Sequence, residues 1–110
     1  MKKSVFSIKR DKYKSARGGQ SKLLDICCRK CEDIAVLYQK DGPGDLHRLY
    51  MDRICAPEDM VGLQNYNIDS VAALRCKKCS EVLGTPYIYM KEKRSAFRLH
   101  HDSIIKRLRK

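Results

Sequence analysis

The chain has 110 residues, enough for one domain but too few to bury a large core, so a structural staple such as a metal ion is expected. Twenty-four Lys and Arg against 13 Asp and Glu give a net charge of +11, while apolar residues, at 43%, still suffice for a folded centre. The longest apolar runs, 34–38 and 71–74, fall far short of the roughly 20 residues that span a bilayer, which excludes a transmembrane helix and argues against a membrane partner.

The charge is concentrated at the two ends. Residues 1–22 carry a net +7, through Lys2, Lys3, Lys9, Arg10, Lys12, Lys14, Arg17 and Lys22 against Asp11. Residues 91–110 carry +6, and the stretch between them is −2. A near-neutral body with two cationic ends attracts polyanions, nucleic acid above all. The start of the chain looks like the basic head of a signal peptide, yet Lys9 and Arg10 arrive before any apolar stretch develops. A cytoplasmic location is therefore expected, where thiols stay reduced and paired cysteines favour metal over disulfide.

In chain order, residues 1–21 read as a basic, flexible N-terminal arm ending in the hinge Ser15-Ala16-Arg17-Gly18-Gly19-Gln20-Ser21. Residues 22–110, which hold two Cys-x2-Cys pairs of the kind that bind zinc, read as the zinc-binding domain with a basic C-terminal end. Leu23, Leu24 and Ile26 lead into a first cysteine pair and 34–39 leaves it, so strands are expected on both sides of a tight turn. The stretch 40–45, Lys-Asp-Gly-Pro-Gly-Asp, is a strong turn signal. Leu46, Leu49, Tyr50 and Ile54 then fall at helical spacing behind Asp45 as a cap, which favours a short helix over 46–54; a strand is the alternative, but Leu46-Arg48-Tyr50-Asp52 alternates poorly. Pro57 opens a loop to about Asn67, anchored by Met60, Val61 and Leu63. After a second cysteine pair, Gly84-Thr85-Pro86 is expected to bend the chain before a strand at 87–90. A turn at 92–94, a returning strand at 96–99 and a last edge strand at 104–108 complete a small, mainly antiparallel β (α+β) domain.

Cys28-Arg29-Lys30-Cys31 and Cys76-Lys77-Lys78-Cys79 are both Cys-x2-Cys pairs. A turn of that length sets two sulfurs about 3.5–4 Å apart, two corners of a tetrahedron around a zinc ion. Two such pairs point to one structural Zn2+ held by Cys28, Cys31, Cys76 and Cys79. The intervening basic residues lower the thiol pKa and offset the negative site. The residue after the second cysteine of such a turn is commonly Gly, because the chain there visits positive φ; here it is Glu32 and Ser80. Cys27 points away from Cys28 if that segment is extended, with a Cys-x3-Cys pairing to Cys31 as the alternative. Cys55 reads as a small buried hydrophobe. With four sulfurs available, His47, His100 and His101 are not needed at that site, and none has a visible partner for nucleophilic catalysis.

The two knuckles resemble those of a zinc ribbon, in which paired Cys-x2-Cys turns clamp one zinc between hairpins. The 44 residues between Cys31 and Cys76 are more similar to the longer interval of β-tent zinc proteins, including Yippee-like domains and the zinc site of type B methionine sulfoxide reductases. Leu83-Gly84 with Tyr87 after the second knuckle is similar to the Yippee-like pattern, though Thr85-Pro86 departs from it. The resemblance covers roughly residues 28–99. A type B reductase would need a catalytic cysteine after the second pair, and none follows Cys79.

These observations predict a non-enzymatic, structural-zinc protein that binds nucleic acid, RNA in preference to DNA, as part of a ribosome or other ribonucleoprotein. Its expected contacts are the seven basic residues of 1–21, the knuckle residues Arg29, Lys30, Lys77 and Lys78, and Arg94, Arg98, Arg107 and Arg109 of the C-terminal end. Tyr87, Tyr89 and Phe97 are candidates for stacking on bases. A protein-interaction adaptor docking through 42–53 is the alternative, and a thiol-disulfide redox protein is a third reading.

Overall fold

The computed structural model describes residues 21–42 and 45–109. Within them eight strands run in chain order: β1 (Ser21–Cys28), β2 (Ile34–Asp41), β3 (Arg48–Tyr50), β4 (Ile54–Ala56), β5 (Leu74–Arg75), β6 (Val82–Tyr89), β7 (Arg94–Leu99) and β8 (Ile104–Leu108). They form two four-stranded sheets, ordered β4-β2-β1-β8 and β3-β7-β6-β5, and every pairing is antiparallel. No described helix is long and apolar enough to cross a membrane. The expected arm of residues 1–21 lies outside the described residues up to Gln20, and β1 begins at Ser21.

Alternation of side chains builds the core. In the first sheet, cross-strand partners Leu24 and Tyr38, and Ile26 and Val36, share one face, and Ile54 joins them from β4. In the second sheet Leu49, Phe97 and Leu99 share a face with Gly84. These residues belong to one buried cluster that also takes in Met51, Leu74, Leu83 and Ile104. Gly84 is required by close approach rather than by its backbone angle. A Cβ built there would lie 3.2 Å from the Phe97 Cβ and 3.2 Å from the Arg98 carbonyl oxygen.

Two local expectations are overturned. Residues 46–54 are not a continuous helix: β3 pairs with β7 of the second sheet, a single 3-10 turn spans Met51–Arg53, and β4 pairs with β2 of the first sheet. The apolar spacing arose because a strand–turn–strand segment buries Leu46, Leu49, Tyr50, Met51 and Ile54 while crossing between sheets. A helix would have left the edges of β2 and β7 unpaired. Second, Gly84-Thr85-Pro86 does not bend the chain, because β6 runs straight through it. Pro86 lies beyond the two-residue β5, where β6 has a neighbour on one side only, so its missing N–H breaks no inner ladder. In the loop after Pro57, Met60 and Leu63 pack on the core as expected, whereas Val61 stands exposed.

Crossing between sheets also buries charge. The Arg53 side chain is 1% exposed, and its Nε donates to the Asp41 carboxylate at 2.8 Å. The Ser21 hydroxyl (2.6 Å) and the Gln39 amide (2.8 Å) donate to the same carboxylate. This knot fastens the start of β1, the end of β2 and the 3-10 turn to one another.

Candidate functional site

The two cysteine turns are built alike. In the β1–β2 turn, Cys28 N–H donates to the Asp33 carbonyl (2.9 Å) and Glu32 N–H to the Cys28 carbonyl (2.7 Å). In the β5–β6 turn, Cys76 N–H donates to the Glu81 carbonyl (2.9 Å) and Ser80 N–H to the Cys76 carbonyl (2.8 Å). Each turn thus closes two backbone hydrogen bonds around its pair of sulfurs. Glu32 and Ser80 have φ of 64° and 67°, the left-handed conformation that the missing glycines would have adopted freely.

These turns converge on one point. The Sγ atoms of Cys28, Cys31, Cys76 and Cys79 all lie within 4.8 Å of one another. The Cys28–Cys79 separation is 3.6 Å and the Cys31–Cys76 separation 3.3 Å. A tetrahedral ion with metal–sulfur bonds near 2.3 Å spaces its sulfurs by about 3.8 Å, so the four thiols fit a single metal ion. Cys28 and Cys76 are buried, Cys31 half-buried and Cys79 exposed, so the cluster lies at the rim of the core. Cys27 is buried but stands outside the group, one residue out of phase with Cys28, as an extended strand requires. Cys55 is half-buried in β4 and also outside it.

The cysteines of the cluster differ in how readily they ionise. Burial resists ionisation of Cys76, but the backbone N–H of Cys79 and the Cys31 thiol outweigh it and bring Cys76 down to about 7. At Cys31 the Asp33 backbone favours the thiolate, yet burial and the three other cysteines push it up to about 12. Cys76 ionises readily while Cys31 and Cys79 resist, a conflict that a bound divalent cation removes.

The turn after β7 ties the two knuckles together. Arg29 N–H donates to the Ser103 carbonyl (2.9 Å), and its guanidinium donates to the Ile104 carbonyl (3.2 Å). The Ser103 hydroxyl reaches the Glu81 carboxylate beside the second knuckle, at 3.4 Å.

The basic residues expected to meet nucleic acid are spread over different settings. Lys2, Lys3, Lys9, Arg10, Lys12, Lys14 and Arg17 lie outside the described residues. Lys30 and Lys78 are exposed at the knuckle tips, and Lys77 is exposed but paired with Asp59 at 3.0 Å. Arg107 pairs with Glu32 (2.7 Å) and Arg109 with Asp25 (3.1 Å). Arg94 is withdrawn from the surface, a correction to the expectation above. Its side chain is 4% exposed, ion-paired with Asp52 (2.7 Å) and Glu92 (3.0 Å), and lies 3.7 Å over the Tyr50 ring. Phe97 is likewise fully buried and cannot meet a base.

Arg98, by contrast, is exposed and lies 4.5 Å over the Tyr87 ring. Cross-strand register sets Arg48 and Thr85 beside it, so the face opposite the core carries Arg48 and Arg98 among Tyr87 and Tyr89. Arg48 stacks 3.9 Å over Tyr89 and donates to the Tyr87 hydroxyl at 3.1 Å. Sequence reading missed Arg48, and the signal that would have found it is the strand pairing of 48–50 with 96–98. No family model, no curated protein and no solved structure matches this chain.

Proposed function

We propose that this chain is a zinc-stapled β module that binds single-stranded nucleic acid, RNA in preference to DNA, as a non-enzymatic part of a ribosome or other ribonucleoprotein in the cytoplasm. Zinc suits an all-thiolate set of four at tetrahedral spacing better than the harder divalent ions do. Four thiolates leave no open position for a reacting water, which favours a structural over a catalytic role. The pinning of two β-sheets by paired knuckles supports the β-tent reading over a plain ribbon.

The observation that carries the nucleic-acid reading is the outer face of the second sheet. There Arg48 and Arg98 stack on half-buried tyrosines, with Arg98 open to solvent. A guanidinium held over a ring can offer its other face to a base and its N–H groups to a phosphate. Such a platform takes unpaired bases, which RNA loops and ends supply. The cationic ends of the chain add phosphate contacts that carry no sequence information.

The test is fluorescence anisotropy of the zinc-loaded full chain with a short single-stranded RNA across a salt series. Arg98→Glu should weaken binding by about 1–3 kcal/mol, roughly five-fold or more, while leaving the melting temperature unchanged. Binding that ignores Arg98→Glu, or an absence of RNA binding at low salt, would move the function to a protein-interaction adaptor.

A further inference from the structure

We infer that His47 and His101 form a second cation site, separate from the cysteine cluster, for a divalent transition ion of the zinc class. His47 Nδ1 and His101 Nε2 lie 3.4 Å apart, with ring planes at 75° and centroids 5.3 Å apart. That separation is long for a hydrogen bond, whose heavy atoms usually lie about 2.7–3.2 Å apart. It matches the bite of a tetrahedral ion, since two metal–nitrogen bonds of about 2.0–2.1 Å at the tetrahedral angle hold their nitrogens about 3.3–3.4 Å apart.

Both rings are exposed, so nothing forces them together to satisfy a buried polar atom. Both are carried on paired backbone. The His47 carbonyl accepts the Leu99 N–H at 3.3 Å, and the His100–Ser103 hydrogen bond (2.8 Å) closes the turn that holds His101. In the neutral tautomers that bind metals each ring carries its proton on the outward nitrogen, leaving the two facing lone pairs for a metal. His100 is engaged elsewhere, with its Nε2 2.9 Å from the Thr85 hydroxyl. The sequence has no fourth histidine, so water or an oxygen ligand completes the shell.

The site's position gives it a structural consequence. His47 precedes β3 of the second sheet, and His101 begins the turn that leads into β8 of the first. An ion held there ties the lead into β3 to the turn between β7 and β8, weaker and more exchangeable than four thiolates because it has two protein ligands.

The test is calorimetric titration of Zn2+ into the full chain already carrying one equivalent, with long-range 1H–15N spectra of the histidine rings. The expected result is a second equivalent that shifts His47 Nδ1 and His101 Nε2. His47→Ala and His101→Ala should each weaken it about ten-fold or more. His100→Ala should leave it intact. Absence of a second equivalent, or one indifferent to both His47→Ala and His101→Ala, overturns the assignment.

Discussion

Arg53→Met isolates the buried charge knot without touching either candidate site. The substitution keeps an unbranched apolar stem but leaves the Asp41 carboxylate, 5% exposed, without its cation. Removing one member of a buried pair costs about 3–5 kcal/mol. Hydrogen bonds from Ser21 and Gln39 remain, which sets the expectation at the lower end, near 3 kcal/mol. Against a total of about 5–15 kcal/mol for a domain this is a large fraction. Urea unfolding of the metal-loaded protein should show it as a midpoint lowered by at least about 1 M, for a slope of about 1–3 kcal/mol per M. Adding Asp41→Asn to Arg53→Met should recover part of the loss, because no buried charge is then stranded. A loss under about 1 kcal/mol for Arg53→Met, with no recovery in the double variant, would refute the reasoning.

The same carboxylate sets a pH dependence. Burial opposes ionisation of Asp41, but hydrogen bonds from Ser21, Gln39 and Arg53 outweigh it and hold the group below the ordinary carboxylate range. A depressed folded value stabilises at pH above the unfolded value and is lost as pH falls through the folded one. The stability gap between wild type and Asp41→Asn, read by urea unfolding, should therefore shrink steadily as pH is lowered from 5 toward 3 (about the range over which a free Asp titrates). Gly84→Ala should cost about 1 kcal/mol or more by thermal melting, because the added methyl meets the Arg98 carbonyl and the Phe97 Cβ, neither of which can move without β7. Deleting residues 1–20 removes seven cationic side chains, and if five of them touch phosphate the log–log salt slope of RNA binding should fall by roughly 3.5–4.5.

What was legible in the sequence was local. Each Cys-x2-Cys turn contains its own geometry, so the convergence of four cysteines, the flanking β1 and β2, and the strain at Glu32 and Ser80 could be read from a few adjacent residues. Residues 46–54 could not, because burial against two sheets in succession imitates one face of a helix. Arg94 looked like a surface cation because its ion-pair partner Asp52 is 42 positions away in the chain. The platform around Arg98 was half visible: Tyr87 and Tyr89 were legible as alternating strand residues, but Arg48 enters only through the β3–β7 register.

In the proposed module, four thiolates and one zinc ion pin the two sheets together. Native mass spectrometry of the fully reduced chain tests it most directly, with Cys76→Ser and Cys55→Ser measured beside wild type. The predicted result is one tightly held Zn2+ in wild type and in Cys55→Ser, its loss in Cys76→Ser, and expanded charge states once the metal is stripped. A reduced, metal-free wild type that keeps compact charge states would contradict it.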